Sequence, residues 1–231
     1  MSDPTRFKNR TQAGELLALR LGAYASRTDA VVLALPRGGV PVAYALAGKL
    51  ELPLDILLVR KLGMPGHEEF AMGAIASGGL CFLQQETLHM YGVSQQMVET
   101  VVQRELLELE RREKLYRADR PALSVRGRVV ILVDDGIATG STMQAALLAL
   151  RQAGPSRIVI ATPVAADDAI ASLEAEVDEV VCLSVPQRFY AVGLWYEVFN
   201  QVADEEVIRL LDAAARRCAA DGKSPGSPAP G

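Results

Sequence analysis

"VVILVDDGIATGSTM", residues 129–143, sets the frame for the whole chain. Five apolar residues run unbroken into two adjacent carboxylates, Asp134 and Asp135, and a loop of small and hydroxyl-bearing residues follows at once. An unbroken apolar run of this kind is expected of a strand buried on both faces of a parallel sheet. "STMQAALLALRQA" then has helical spacing and is ended by Gly154 and Pro155. The first amides of that helix lack intrahelical partners. Together with the hydroxyls of Thr139, Ser141 and Thr142 they make a cradle for a phosphate dianion, and Gly140 lets the backbone come close. Two carboxylates just upstream would repel that phosphate unless they faced something else. Hydroxyl donors would satisfy them, and so would a Mg2+ held jointly with the ligand. A sugar phosphate offers both ends. The plain alternative is an ordinary Asp-Asp-Gly turn. A phospho-accepting receiver domain also uses an acidic pair at a strand end, but on its first strand and without a phosphate loop to follow.

The neighbouring segments supply a sheet around this strand. "AVVLAL" (30–35) is a second buried strand, "PRGG" breaks it, and "VPVAYALAGKL" is a helix with Pro41 in its first turn. "LDILLV" (54–59) reads as the next strand, which completes a βαβ unit and makes the sheet mainly parallel. "RIVIATPVA", "DDAIASLEAE", "EVVCLSVP" and "DEEVIRLLDAAARRCAA" continue the alternation of strand and helix. Before the first strand, Thr11 is placed to cap a helix over "QAGELLALRLGAYA". "RKLGMPGHEEF" (60–70), polar and aperiodic, is expected to be a mobile loop. "AMGAIASGG" and "LCFLQQ" read as a hairpin turning at Gly78–Gly79. Ser94 caps a long helix over 95–117 whose outer face alternates Glu and Arg. The expected fold is α/β: a doubly wound, mainly parallel sheet flanked by helices. One domain over 1–218 would carry a helical insertion at about 94–118 and a small C-terminal hood at about 186–200, before a disordered tail over 219–231.

Composition narrows the partners. The chain has 231 residues and a formal net charge of −4, which argues against broad coating of nucleic acid. Cys81, Cys182 and Cys218 are widely spaced with no CxxC pair, as expected of a reducing cytoplasm. Neither a leader-like apolar start nor a membrane-length apolar run is present.

Three turns, "PRGG", "RKLG" and "DDGIATGST", fall at the carboxyl ends of expected strands, where open α/β sheets bind ligands. On these residues the chain resembles the type I phosphoribosyltransferase family. "VILVDDGIATGST" is similar to that family's phosphoribosyl pyrophosphate signature, with Gly136 a departure from the usual aliphatic residue. "PRGGVPVA", "RKLGMPGHEEFAMGAI" and "FYAVGLWYEVF" narrow the likeness to an uncharacterised bacterial subfamily, over roughly residues 7 to 211.

The resemblance implies a Mg2+-dependent transfer of the phosphoribosyl group from phosphoribosyl pyrophosphate to a nitrogenous acceptor, with release of pyrophosphate. Asp134 and Asp135 would hold the ribose hydroxyls and the metal, directly or through water. Ala138, Thr139, Gly140, Ser141 and Thr142 would bind the 5-phosphate. Arg37, Gly38, Gly39 and Lys61 would hold pyrophosphate, the first three in a loop that in this family often contains a strained or cis peptide. The mobile loop would close over the reaction, and His67, Glu68 or Glu69 would be its candidate acid or base. His89 is expected to be structural or exposed.

The acceptor is less well marked. "QRFYAVGLWYEVF" (187–199) is the aromatic-rich segment, and Phe189, Tyr190, Trp195 and Tyr196 have faces that stack on a flat ring, with Phe189 the best placed. Ordinary packing of a C-terminal flap is the alternative. Ala138 stands where enzymes for hypoxanthine and guanine usually carry Asp, and in this it resembles the adenine and uracil enzymes. The long helix would serve as a lid, a homodimer contact or simple packing. The competing function is a non-catalytic regulator that binds the same donor or nucleotides.

Overall fold

The computed structural model describes residues 6–65, 67–77, 79–118 and 120–220, with the backbone alone at 67–71. These residues divide into two compact units. The first comprises the chain up to Ile56, then Leu123–Gly140 and the residues from Pro155 onward. It is built on a five-stranded parallel sheet in the order β2-β1-β6-β7-β8. Its strands are β1 (Ala30–Ala34), β2 (Leu54–Ile56), β6 (Val129–Val133), β7 (Arg157–Val164) and β8 (Glu179–Ser184). Every residue of β1 and β6 is buried, which is why both read as unbroken apolar runs. Each such Val, Leu or Ile contributes about 1.5–3 kcal/mol by leaving water.

Four α-helices flank this sheet: α1 (Arg10–Arg20), α2 (Gly39–Leu50), α6 (Asp167–Glu174) and α7 (Asp204–Ala220). The chain therefore has the expected α/β architecture, a parallel sheet flanked by helices. Register places the site. Ala34 of β1 lies level with Val133 of β6, so the turns that leave these two strands start side by side.

The second unit comprises Leu57–Ala122 and Ser141–Gly154. It holds a three-stranded antiparallel sheet in the order β3-β4-β5: β3 (Val59–Met64), β4 (His67–Ala76) and β5 (Leu80–Leu83). Its helices are α3 (Gln85–Met90), α4 (Gln95–Arg117) and α5 (Ser141–Ala153). Ser94 caps α4, its side chain accepting from the Met97 N–H. Val98, Val101 and Leu109 form the buried stripe of α4, while Met97 and Leu115 are exposed.

Several expectations are corrected. The cap of α1 is Asn9, whose Oδ1 accepts from the Gln12 N–H at 3.0 Å, and Thr11 lies inside the helix. An Asn at the cap position competes as well as a Thr, so composition alone does not choose between them. The apolar run 54–59 is not one strand. Pairing in the parallel sheet stops at Ile56, and Val59 begins β3, with Leu57 and Leu58 buried between them. The segment 60–70 is not an aperiodic loop: 60–64 lie on β3 and 67–70 on β4, while Gly66 is outside the described residues. Gly63, which reads as a breaker, sits at two register shifts, the place where glycine marks a bulge within a strand. The short α3 was not anticipated, since Leu88 is its one buried apolar residue. Finally, α7 runs to Ala220, two residues into the expected tail; 221–231 lie outside the described residues. Among the described residues, no helix is long and apolar enough to cross a membrane.

Candidate functional site

The turns after β1 and β6 interlock. The Leu35 N–H donates to the Val133 carbonyl at 2.9 Å, which carries the pairing one residue past β1. A methyl group on Gly39 would stand 2.7 Å from that same Val133 oxygen and 3.0 Å from Asp134 Cα. On Gly38 it would stand 2.1 Å from Asp135 Oδ2. Real side-chain carbons do not approach so closely, so "PRGG" needs both glycines to lie against the acidic pair. The Pro36–Arg37 peptide in this turn is cis. Arg37 is partly exposed and its guanidinium lies 3.7 Å from the Asp204 carboxylate in the first turn of α7. The Gly39 N–H is used within the turn, donating to the Leu35 carbonyl at 3.1 Å.

Asp135 is held on three sides. Its Oδ2 accepts from Arg10 Nε at 2.7 Å, its carbonyl accepts from the Tyr196 hydroxyl at 2.6 Å, and its N–H donates to Asp134 Oδ1 at 2.8 Å. Arg10 in turn lies over the Phe199 ring, 3.9 Å from the centroid, and donates from Nη1 to the Asn200 carbonyl at 2.8 Å. Burial and the neighbouring Asp135 carboxylate push the Asp134 carboxyl well above the usual carboxylate range. Burial also raises Asp135, and the Arg10 guanidinium opposes that rise without cancelling it. Burial, then the Asp135 charge, raises the Tyr196 phenol as well. Two carboxylates in this state form a ready partner for a cation or for hydroxyl donors. Among the described residues no three His, Cys, Asp or Glu side chains cluster to hold a metal ion. Two carboxylates are the oxygen donors that Mg2+ takes when the rest of its shell comes from water and a ligand's own oxygens.

Beyond the pair, Gly136 lies against the hood. A methyl group there would stand 2.3 Å from Val192 Cγ1, so Val192 fills the space that an aliphatic residue at 136 would occupy. The chain then passes Ala138 and Thr139, both exposed, and the buried Gly140 at φ +75°. Ser141 and Thr142, both exposed, open α5.

The structure thus brings Arg37, Gly38, Gly39, Asp134 and Asp135 together in the first unit, with 138–140 following on the same turn. Lys61 is exposed on β3 of the second unit, opposite Ala74. The backbone of His67, Glu68 and Glu69 belongs to β4, and their side chains lie outside the described residues. Phe189 is half-buried and Tyr190 is 76 % exposed, so both keep ring surface open. Tyr196 is different: it is buried between Phe7 and Phe199, with ring centroids 5.5 and 4.9 Å away, and is not available to stack on a ligand. Arg10, Phe199 and Val192 were not singled out by the sequence. A cation at the first position of α1, where the helix dipole disfavours it, is the one signal that marks Arg10.

The family model for the phosphoribosyl transferase domain matches residues 8–196. A protein of Mycobacterium tuberculosis strain H37Rv, provisionally named a phosphoribosyl transferase, is 43% identical over 210 residues; the match covers 91% of this chain and 47% of that protein. Its counterpart in strain CDC 1551 matches to the same extent. The chain spans about half the length of the curated relatives it matches. The crystal structure of TT1426 from Thermus thermophilus superposes with a TM-score of 0.82 at 46% identity, covering 89% of this chain and 97% of that one.

Proposed function

The chain belongs to the phosphoribosyl transferase domain family, and from that premise we propose that it is a Mg2+-dependent phosphoribosyltransferase. It would transfer the phosphoribosyl group of phosphoribosyl pyrophosphate to a nitrogenous acceptor, most simply a nucleobase or related ring. The observation that carries this reading is the contact of the acidic pair with the glycines of "PRGG": Gly38 lies under the Asp135 carboxylate and Gly39 under Val133 and Asp134. One end of such a site takes diol hydroxyls and the other takes an anion.

In this reading Asp134 and Asp135 accept from the ribose hydroxyls and would hold Mg2+, directly or through water. When bound, Mg2+ compensates the charge that builds on departing pyrophosphate. Because the Gly39 amide is used within the turn, the backbone donors to pyrophosphate fall to Arg37 and Gly38. The Arg37 guanidinium, partly exposed beside Asp204, adds a cation at the same end. Residues 138–142 hold the 5-phosphate at the start of α5, where the positive end of the helix dipole favours an anion. Fixing both ends of the sugar places the anomeric carbon between the leaving group and the acceptor, and much of the barrier is lowered by such orientation. Oriented donors meet the leaving group's growing charge without having to reorganise. The hood segment 186–200 offers the acceptor side, with Phe189 as a ring face.

Calorimetric titration with Mg2+–phosphoribosyl pyrophosphate tests the donor half. The wild-type chain should bind, and the Asp134→Asn/Asp135→Asn double variant should not, while its circular dichroism stays unchanged. Equal binding by both proteins would end the proposal. Pyrophosphate release in the presence of purines, pyrimidines or ring precursors separates transfer from simple sensing of the donor.

A further inference from the structure

Two features of Arg10 run against its surroundings. It occupies the first position of α1, where the helix dipole disfavours a cation, and its side chain is only 12 % exposed. The partner that compensates it, Asp135, is equally withdrawn at 14 %. Ion pairs taken out of water to this degree return little stability compared with apolar packing of the same volume. Stability alone is therefore a weak reason to keep this pair.

Geometry supplies a better one. The oxygen that accepts from Arg10 is Oδ2, and Oδ2 is also the atom nearest the space above Gly38. One bond at 2.7 Å thus decides which way the Asp135 carboxylate points. The guanidinium cannot swing, because the Phe199 ring supports its face and the Asn200 carbonyl accepts from Nη1. The backbone of Asp135 is pinned separately, at its carbonyl by Tyr196 and at its N–H by Asp134. Of the two acids, then, Asp135 is held from the side by a cation, whereas the Asp134 carboxylate accepts from its neighbour's N–H.

We infer that Arg10 is a positioning residue: it holds the Asp135 carboxylate against Gly38 of the "PRGG" turn, in the orientation in which an incoming diol or its metal meets the acidic pair. The inference rests on the donor-binding reading above. Arg10 acts through Asp135 and is itself held by the hood residues Phe199 and Asn200, so this one side chain links the N-terminal helix, the hood and the donor site.

Arg10→Gln keeps a donor near Asp135 but removes the charge and the planar fork, and Arg10→Lys keeps the charge without the fork. Both should weaken binding of Mg2+–phosphoribosyl pyrophosphate by about 10–100-fold, the range seen when a group that orients a ligating side chain is lost. A crystal structure of ligand-free Arg10→Gln protein should show the Asp135 carboxylate turned away from Gly38. Val159→Ala, a core truncation in β7, serves as the control that loses stability and keeps wild-type binding. The inference is overturned if Asp135 stays in place in that crystal structure, or if the Arg10 variants bind no worse than Val159→Ala. Absence of binding by the wild-type chain would overturn the proposed function instead, and the ligand-free crystal structure would still decide the role of Arg10.

Discussion

Two arginine–carboxylate contacts of equal length, 2.7 Å, behave quite differently in this molecule. Arg10–Asp135 lies in the first unit with side-chain exposures of 12 % and 14 %. Arg112–Glu108 lies on α4 of the second unit at 40 % and 30 %, and Arg111 binds the same carboxylate from the next turn. On α4 either arginine can substitute for the other, water screens both, and exposed pairs of this kind add little to stability. At the acidic turn Arg10 is the one cation paired with Asp135 among the described residues, and the two charges are fixed by glycine backbone, aromatic faces and a phenol. The chemistry of the pair is the same. What differs is how much of the surroundings must move when one partner changes.

The sharpest way to break the first region is therefore steric. Gly39→Ala places a carbon 2.7 Å from the Val133 carbonyl and 3.0 Å from Asp134 Cα, both of them backbone atoms that cannot rotate away. Urea unfolding should show a loss of about 3 kcal/mol, the upper end of overpacking costs, and donor binding should vanish with it. Gly136→Ala is the milder relative. Its new carbon meets the Val192 side chain, 2.3 Å from Cγ1 but 3.1 Å from Cβ. About 1 kcal/mol should be lost, at the lower end of the same range, and adding Val192→Ala should restore most of it. A double variant no better than Gly136→Ala alone would show that the hood does not seat on Gly136.

Most of the sheet was legible because burial on both faces writes an unbroken apolar run, as in β1 and β6, and because Ser94 and Gly154 punctuate their helices in the ordinary way. The acidic pair and "PRGG" were legible as turns at strand ends, and parallel register then had to bring them together. Three things were not legible. The β3–β4 hairpin hides its alternation behind a bulge at Gly63, so its breaker glycine reads as a loop. Arg10 is separated from Asp135 by 125 positions, and no local spacing rule links a helix start to a distant turn. Val192 explains the glycine at 136 only once the hood is folded onto it. Local patterns reveal elements; side chains that complete a site across the fold leave no periodic trace.

Acidity offers the gentlest contrast between the two regions, because their carboxylates shift in opposite directions. Asp134 is raised, first by burial and then by Asp135. Its folded state holds a proton more tightly than the unfolded chain, whose Asp titrates near about 3.9. The resulting cost is absent below that pH and grows as pH rises through the higher folded value. Asp134→Asn should then melt higher than the wild-type chain at pH 8, with the gain shrinking toward pH 4, even though donor binding is lost. Glu108 is lowered to about 2, mainly by hydrogen bonds from Arg111 and then Arg112. Its contribution is complete above the unfolded value of about 4.3 and fades as pH falls through about 2. Glu108→Gln should thus lower the melting midpoint only slightly at pH 7, and by less still near pH 2. Added salt at about 1 M, where the screening length is near 3 Å, should erase the Glu108 effect and leave most of the Asp134 effect. Equal salt sensitivity of the two variants would mean that water reaches the acidic turn as freely as it reaches α4, and the distinction between the two arginine–carboxylate contacts would fail.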